Sequence, residues 1–361
     1  MLGPPSSGKT ALTKHTTSQL QSDGTPEFHP LTIDLRVVDT STEGAFLDAF
    51  LANANIAAKT SEVWTGLMDQ LTVSLGPLSV KFGKKKPSAT SAATVFKALG
   101  DSLKPWNFYH GTRPPVLVID EANFFRHMND PGKFAFLNFA VQASKQDEKM
   151  HVILTSSDSF FESWLRQYIN PAHFETITLG DLPIQEAHTY FLEMVENHRY
   201  LQEEDKSILR SINFDIPFKM TGGRMHFIDK YISQVSRYGY FDEPARFEPV
   251  RNAYNAMEGN FTGHPKTYGA QEALKVSKLL IQSPGYISYS KTIALFNVNI
   301  VEEMIERNLL HYRPASGFSR DLIPLPSKSV LTAPSEPALR AMEELVAEYE
   351  NHSTSNGQEK V

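Results

Sequence analysis

Residues 3–10 read G-P-P-S-S-G-K-T, a glycine-rich stretch that ends in a lysine and a hydroxyl residue. The spacing G-x-x-x-x-G-K-T is typical of a loop whose backbone N–H groups curl around phosphates where a helix begins. The predicted phosphate-binding residues are Gly3, Pro4, Pro5, Ser6, Ser7, Gly8, Lys9 and Thr10. A chance match in a turn rich in glycine, proline and serine is the alternative for this stretch taken alone.

Within that stretch each residue type has a distinct task. Ser6 to Thr10 supply the amides, and the Lys9 ammonium reaches the β- and γ-phosphates. The Thr10 hydroxyl is a predicted Mg²⁺ ligand. Pro4 and Pro5 lack N–H groups, but they lie at the entrance of the loop, where they stiffen it without removing the inner donors.

A second motif, "VLVIDEA", places four apolar residues before Asp120 and Glu121. A buried parallel strand that ends in two acids exposes them at the carboxyl edge of the sheet, where open α/β sheets bind ligands. Asp120 is therefore a predicted member of the Mg²⁺ shell, and Glu121 is a predicted catalytic residue that orients and polarises an attacking water. The two motifs together predict a nucleotide site.

A third apolar stretch, "HVILTSSD", ends in Thr155, Ser156 and Ser157. If its strand lies between the loop strand and the Asp120 strand, one of these hydroxyls, with Thr155 as the candidate, positions the attacking water. The alternative is that serine and threonine simply terminate a strand, as they often do.

Strand and helix patterns alternate through the first half of the chain, which predicts an α/β fold with a parallel sheet and helices on both faces. We predict a P-loop NTPase core over 1–181 and a helical lid over 182–241, followed by a linker over 242–268. "LLHYRP" and "RDLIPL" read as two short strands after three helices, which predicts a winged-helix domain over 269–325. Residues 326–361 form a Pro/Ser-rich tail with one amphipathic helix.

The motifs and their order resemble P-loop ATPases of the AAA+/STAND superclass, most of all the archaeal-type ATPase family and its fungal relatives, over residues 1–325. GPPSSGKT is similar to the phosphate loop of that class, VLVIDEA to its Walker B strand and TSSD to its sensor 1 position. "FKMTGGRMHFIDKYI" looks like the Gly-Gly entry to the lid helix. The resemblance implies that Arg224 is a sensor-2-like nucleotide contact and Arg166 an arginine finger acting in trans. Ser6 departs from the pattern, because many loops of this class have glycine there.

Composition excludes several classes of protein. The 361 residues are 41% hydrophobic and 21% charged and contain no cysteine, which fits a globular protein of a reducing compartment and excludes disulfide scaffolds. We therefore predict an intracellular, cytoplasmic protein. The sequence contains no apolar run of the roughly 20 residues that a membrane span needs, so we predict no membrane partner.

Nucleic acid is not a predicted partner. The net charge is −6, and the third helix of the predicted winged helix carries Glu302, Glu303 and Glu306 against Arg307. Carboxylates facing phosphates would repel them. Packing on the ATPase core, a protein partner or self-association is the predicted use of this domain.

Only Met1 and Leu2 precede Gly3, although a phosphate loop normally follows a central strand buried on both faces. Loss of that strand would leave ladder groups unpaired. We expect either an N-terminally incomplete reading frame or another segment in the strand's place, with weaker nucleotide binding and lower solubility for the chain as given.

These inferences predict an Mg²⁺-dependent ATPase with ATP as the nucleotide, in which nucleotide state moves the lid and the winged helix. Adenine is implied by the resemblance, and the sequence lacks a guanine-reading N-K-x-D motif. Two alternatives stay open: a nucleotide-gated interaction switch with little turnover, and an initiator-like DNA-binding ATPase.

Overall fold

The computed structural model describes residues 1–75, 91–105 and 115–358. The chain divides into two compact units. Unit 1 comprises Met1–Leu2 and Gly8–Thr176, and unit 2 comprises Gly3–Ser7 and the chain from Ile177 onward. Each unit is described by itself below.

Unit 1 is an α/β unit in which helices surround a parallel sheet. Its strands are β1 His29–Asp34, β2 Pro115–Asp120 and β3 His151–Leu154. Its helices are α1 Lys9–Thr17, α2 Glu43–Ala58, α3 Glu62–Leu75, α4 Ala92–Ser102, α5 Asp130–Val141 and α6 Phe161–Leu165. A π-helical turn, Gln142–Gln146, continues α5.

The strand order of this sheet is β1-β2-β3, and both pairs are parallel. All six residues of β2 are buried, as expected for the central strand of a parallel sheet covered on both faces. Leu2 forms a parallel bridge with Ser156, on the far side of β3 from β2. β3 therefore lies between the start of the chain and the Asp120 strand, which is the condition stated above for "HVILTSSD".

Phenylalanine rings dominate the core on one side of this sheet. Phe46 of α2 makes edge-to-face contacts with Phe125 and Phe136, with ring centroids 5.2 and 5.4 Å apart. Phe96 of α4 packs edge-on against Phe50 at 5.5 Å. These rings are at most 1% exposed, so they join α2, α4 and α5 to the sheet through apolar burial and favourable ring geometry.

Unit 2 is largely helical. Its helices are α7 Ile184–Asn197, α8 Glu203–Ser211, α9 Asp215–Thr221, α10 Met225–Tyr238, α11 Glu248–Glu258, α12 Ala270–Ile281, α13 Tyr289–Phe296, α14 Val298–Glu306 and α15 Glu336–Gln358. Its strands are β4 Ile287–Ser288, β5 His311–Arg313 and β6 Val330–Thr332.

The last part of unit 2 has winged-helix topology. A helix, a short strand, two helices and two strands follow one another from α12 to β6, and the sheet is antiparallel in the order β4-β6-β5. The second wing strand lies at 330–332, so the prediction of a strand at 320–325 is wrong. There, Asp321 pairs with Arg313 through two hydrogen bonds and holds the segment as a loop.

Several other stretches can be compared with what their residue patterns suggest. The segment 174–182, "FETITLGDL", has the alternation of a strand but does not form one, because amides of Thr178 and Leu182 donate to Ser316 Oγ and the Gly223 carbonyl within unit 2. The stretch 72–90 reads as a β-ribbon or loop insertion, but 72–75 is helical and 76–90 lies outside the described residues. The predicted linker 242–268 contains α11, and the amphipathic helix of the predicted tail corresponds to α15.

In the described ranges, no helix is both long enough and apolar enough to cross a membrane.

The aromatic core gives a test of what stabilises unit 1. Phe46→Ala removes a fully buried ring, and we expect the free energy of unfolding of unit 1 to fall by about 3–5 kcal/mol. Ile56→Ala, at a 63% exposed position of the same helix, is the matched control and should change it by at most about 0.5 kcal/mol. Denaturant titration followed by circular dichroism measures both; equal midpoints for the two variants would contradict this account of the core.

Candidate functional site

The G-x-x-x-x-G-K-T stretch folds as a tight loop that leads into α1. Ser6 and Gly8 both have left-handed backbone conformations, with φ of 60° and 87°. Glycine adopts this region freely, whereas serine does so with strain. The one residue that departs from the usual pattern, Ser6, therefore occupies a position that favours glycine.

The start of α1 has the features of an anion site. Its N-cap, Gly8, makes no side-chain hydrogen bond to the helix, so no side chain caps the first amides of α1. The Ser7 hydroxyl is buried and has no hydrogen-bond partner among the described residues. Lys9 is 5% exposed. Unmet donors at a helix N-terminus beside a buried lysine fit a phosphate group.

Asp120 is the centre of the site in unit 1. It ends β2 and is only 2% exposed. The Thr10 hydroxyl donates to its Oδ2 at 2.7 Å, and the Thr155 hydroxyl donates to its Oδ1. The structure thus brings together the loop threonine, the strand-end acid and the residue after the third strand, which come from three separate stretches of the sequence.

Thr155 is fully buried and uses its hydroxyl on Asp120. Its carbonyl accepts from the Ala122 amide at 2.7 Å, which extends the contact between β2 and β3 past the end of the ladder. The contact with the Glu121 side chain belongs instead to Ser157, whose hydroxyl donates to Oε2 at 2.8 Å. A water-positioning role for Thr155 stays a prediction, and the observed contact of its hydroxyl is with Asp120.

Glu121 has a left-handed backbone conformation, with φ 52° and ψ 51°. A non-glycine residue in this region costs on the order of 1–3 kcal/mol and is more frequent at functional sites. The conformation turns the chain sharply out of β2 into the 3₁₀ turn Ala122–His127. Glu121 is half-buried beside Asp120 at the edge of the sheet.

Sequence reasoning did not identify Asp34 and Arg36. Asp34 ends β1 directly opposite Asp120 in the strand register. The Arg36 guanidinium donates three hydrogen bonds to Asp34, two from Nε and one from Nη2, which lies 2.7 Å from Oδ2. The same Nη2 lies 3.4 Å from Oδ2 of Asp120. The hydrogen bond from Arg36 lowers the pKa of Asp34, and the same pair raises the pKa of Arg36. A strand-end acid followed two residues later by arginine, in "IDLR", was the available signal.

The two arginines implied by the resemblance lie in different units. Arg166, in unit 1, pairs with Glu162 one helical turn away at 2.5 Å, and its guanidinium lies over the Phe174 ring. Arg224, in unit 2, is 5% exposed and donates to Asp181 at 2.8 Å and to the Pro334 carbonyl at 3.1 Å. It lines a 330 Å³ cavity within unit 2. Their roles as finger and sensor stay predictions.

Glu303, on the third helix of the winged helix, makes hydrogen bonds within unit 2. The Glu303 carboxylate accepts hydrogen bonds from the backbone amides of Lys266 and Thr267 and from the Thr267 hydroxyl. These bonds lower its pKa, so the charge is retained at neutral pH. Glu303 therefore fixes the chain ahead of α12.

The donor set fits Mg²⁺ only in combination with phosphates. No group of three His, Asp or Glu side chains in the described ranges could hold a metal ion. Thr10 and Asp120 offer one hydroxyl and one carboxylate, and Mg²⁺ commonly takes one or two such protein ligands together with substrate phosphates and waters.

Comparison with solved structures shows the fold. The chain is similar to the Walker-type ATPase PABY2304 of Pyrococcus abyssi, with a TM-score of 0.52 and 12% identity over 95% of this chain and 89% of that one. Cdc6p from Pyrobaculum aerophilum matches over 96% of this chain and 87% of that one at 12% identity, but its TM-score of 0.39 is too low to bear on the fold. Neither a protein-family model nor a curated protein matches the sequence. The similarity to the Pyrococcus abyssi ATPase shows that the chain has a P-loop ATPase fold.

The Thr155 contact gives a test of the site's construction. Thr155→Val keeps the shape but leaves a buried carboxylate oxygen of Asp120 without its donor, so the free energy of unfolding of unit 1 should fall by about 1–3 kcal/mol. Thr155→Ser keeps the hydroxyl and is the matched control. Thermal melts of the two variants check this, and a valine variant as stable as the serine variant would show that the hydroxyl does not support Asp120.

Proposed function

We propose that this chain binds ATP with Mg²⁺ and hydrolyses it. The observation that carries the proposal is the hydrogen bond between the Thr10 hydroxyl and Asp120 Oδ2, two residues that are 110 positions apart in sequence. It joins the residue that closes the glycine-rich loop to the acid that ends the central strand, and these are the two protein groups that hold Mg²⁺ in a P-loop site.

Each residue of the site has a role that follows from its position. The amides from Ser6 to Thr10 and the Lys9 ammonium bind the phosphates, while Gly3, Pro4 and Pro5 set the entrance. Thr10 and Asp120 would hold Mg²⁺, which when bound neutralises charge on the β- and γ-phosphates. Thr155 keeps the Asp120 carboxylate oriented toward Thr10.

Glu121 is the proposed catalytic carboxylate. Its left-handed backbone directs the chain out of the sheet edge beside Asp120, where the side chain orients a water for attack and accepts its proton. Ser157 holds Oε2, so the carboxylate has a fixed starting orientation. Transfer of the phosphoryl group then depends on positioning and charge stabilisation more than on covalent chemistry.

We extend the proposal to coupling between nucleotide state and the lid and winged-helix segments, with a protein partner or a second copy of the chain as the target. Arg224 and Arg166 are the candidate residues that report the nucleotide, as sensor and as finger. Both are engaged by carboxylates, Asp181 and Glu162, so either role requires an exchange of ion-pair partners.

A nucleotide-gated switch with little turnover is the second candidate. The observation in its favour is the Ser157–Glu121 hydrogen bond, because a carboxylate that is held by a hydroxyl is a weaker acceptor for the water's proton. Tight ATP binding with negligible phosphate release would decide for this candidate. A DNA-binding role has less support, since the third helix of the winged helix carries three glutamates and one arginine, and carboxylates repel phosphates.

Nucleotide binding is tested on the lysine of the loop. Lys9→Ala removes a charge from the phosphate site, so the Kd for Mg²⁺–ATP measured by calorimetry should rise by about tenfold to hundredfold. Lys14→Ala is the matched control, because Lys14 is exposed on the same helix. Equal affinities in the two variants would contradict a phosphate role for Lys9.

Hydrolysis is tested on the acid pair. Glu121→Gln should retain ATP binding while phosphate release falls by about 10²- to 10⁴-fold, because the water loses its proton acceptor. Asp158→Asn, which alters another acid after the third strand, serves as the comparison and should keep most of the turnover. Equal rates for wild type and Glu121→Gln would remove Glu121 from the mechanism.

A further inference from the structure

The carboxyl edge of the sheet in unit 1 concentrates negative charge. Asp34 and Asp120 end adjacent strands at the same register position, and Glu121 follows directly. Adjacent carboxylates at one strand edge repel one another unless a cation lies between them. Arg36 supplies that cation in the present structure.

Local backbone geometry carries Arg36 back toward the strands. The Asp34 side chain accepts from the Arg36 amide at 3.0 Å and so caps the 3₁₀ turn Leu35–Val37. The same carboxylate takes the guanidinium in a two-pronged contact, with Nε 2.9 Å from Oδ1 and Nη2 2.7 Å from Oδ2. Asp34 therefore fixes both the turn and the direction of the side chain.

The contact of Arg36 with Asp120 is of a different kind. It is a single contact at 3.4 Å, made to the same Oδ2 that accepts from Thr10. The Arg36 side chain is 51% exposed, whereas the Asp120 side chain is 3% exposed. Arg36 can thus leave Asp120 by a small rotation and keep its stronger, bidentate partner.

Mg²⁺ held by Thr10 and Asp120 would have to share a carboxylate with the guanidinium. Oδ2 of Asp120 accepts from Thr10 and also carries the contact with Arg36, and two cations beside one carboxylate oxygen repel each other. We infer that the Arg36 guanidinium competes with Mg²⁺ for Asp120, and that Asp34 is the partner on which Arg36 remains when the metal binds. Arg36 thereby sets how strongly ATP binding depends on Mg²⁺. This inference rests on the proposed ATP–Mg²⁺ site.

The experiment measures the Kd for ATP by calorimetry in excess Mg²⁺ and in EDTA. The readout is the Kd in EDTA divided by the Kd in Mg²⁺. Arg36→Gln keeps a polar side chain with an unbranched aliphatic stem but removes the charge, so ATP should bind more tightly in Mg²⁺ and the ratio should rise about fivefold or more, with little change in EDTA. Asp34→Asn removes the alternative partner, so Arg36 stays on Asp120 and the ratio should fall.

The double variant Arg36→Gln/Asp34→Asn should give the same ratio as Arg36→Gln. Asp34 acts only by retaining the Arg36 guanidinium, so its loss has no further effect once the guanidinium is absent. Arg210→Gln is the matched control: Arg210 forms a short exposed ion pair with Glu196 in unit 2, at 2.5 Å against 2.7 Å for Arg36 and Asp34, and the ratio for this variant should equal that of wild type. Thermal melts confirm folding, and if Asp34→Asn fails to fold, Arg36→Gln decides alone.

Two results would overturn the inference. Weaker ATP binding of Arg36→Gln in both Mg²⁺ and EDTA would make Arg36 a phosphate ligand. An unchanged ratio would make the Arg36 contacts structural only. The proposed function fails separately, if wild-type protein binds ATP in neither condition.

Discussion

The satisfaction of one buried carboxylate organises the site. Asp120 is 2% exposed, and a charged group at that depth is tolerated only when its oxygens are hydrogen-bonded. Its donors come from the helix after the glycine-rich loop and from the end of β3, through Thr10 and Thr155. Because each donor reaches a fixed oxygen, Asp120 ties the start of α1 and the residue after β3 to the end of β2. The glycine-rich loop, the acid that ends β2 and the third strand are in this way parts of one hydrogen-bonded unit.

The packing of unit 1 keeps this edge in place. Strand β2 is buried along its whole length, and the phenylalanine cluster around Phe46 and Phe136 joins the flanking helices to it. The polar groups of the candidate site lie at the carboxyl end of the sheet, where the strands give way to turns. A similar architecture at 12% identity in the Walker-type ATPase of Pyrococcus abyssi shows that such a fold tolerates almost complete change of sequence.

The parts of the site that follow from fixed spacing could be predicted from the sequence. Lys9 and Thr10 were placed by the loop motif, and Asp120 by four apolar residues before two acids. Arg36 could not be found in this way, because its contact depends on a 3₁₀ turn and on strand register, which bring residues 36 and 120 together across 84 positions. Segment 174–182 has the alternation of a strand, but its amides bond to Ser316 and Gly223, so tertiary contacts override the pattern. Helix α11 was missed because Pro, Gly and Asn residues around it suggested a linker.

The left-handed backbone of Glu121 also matters to anyone who would engineer this chain. Glycine relieves such a conformation, so selection for heat resistance would reward Glu121→Gly with up to about 1–3 kcal/mol. The same replacement deletes the carboxylate to which the proposed function assigns the activation of water. A library screened only for melting temperature would therefore select against a side chain that the proposed mechanism requires.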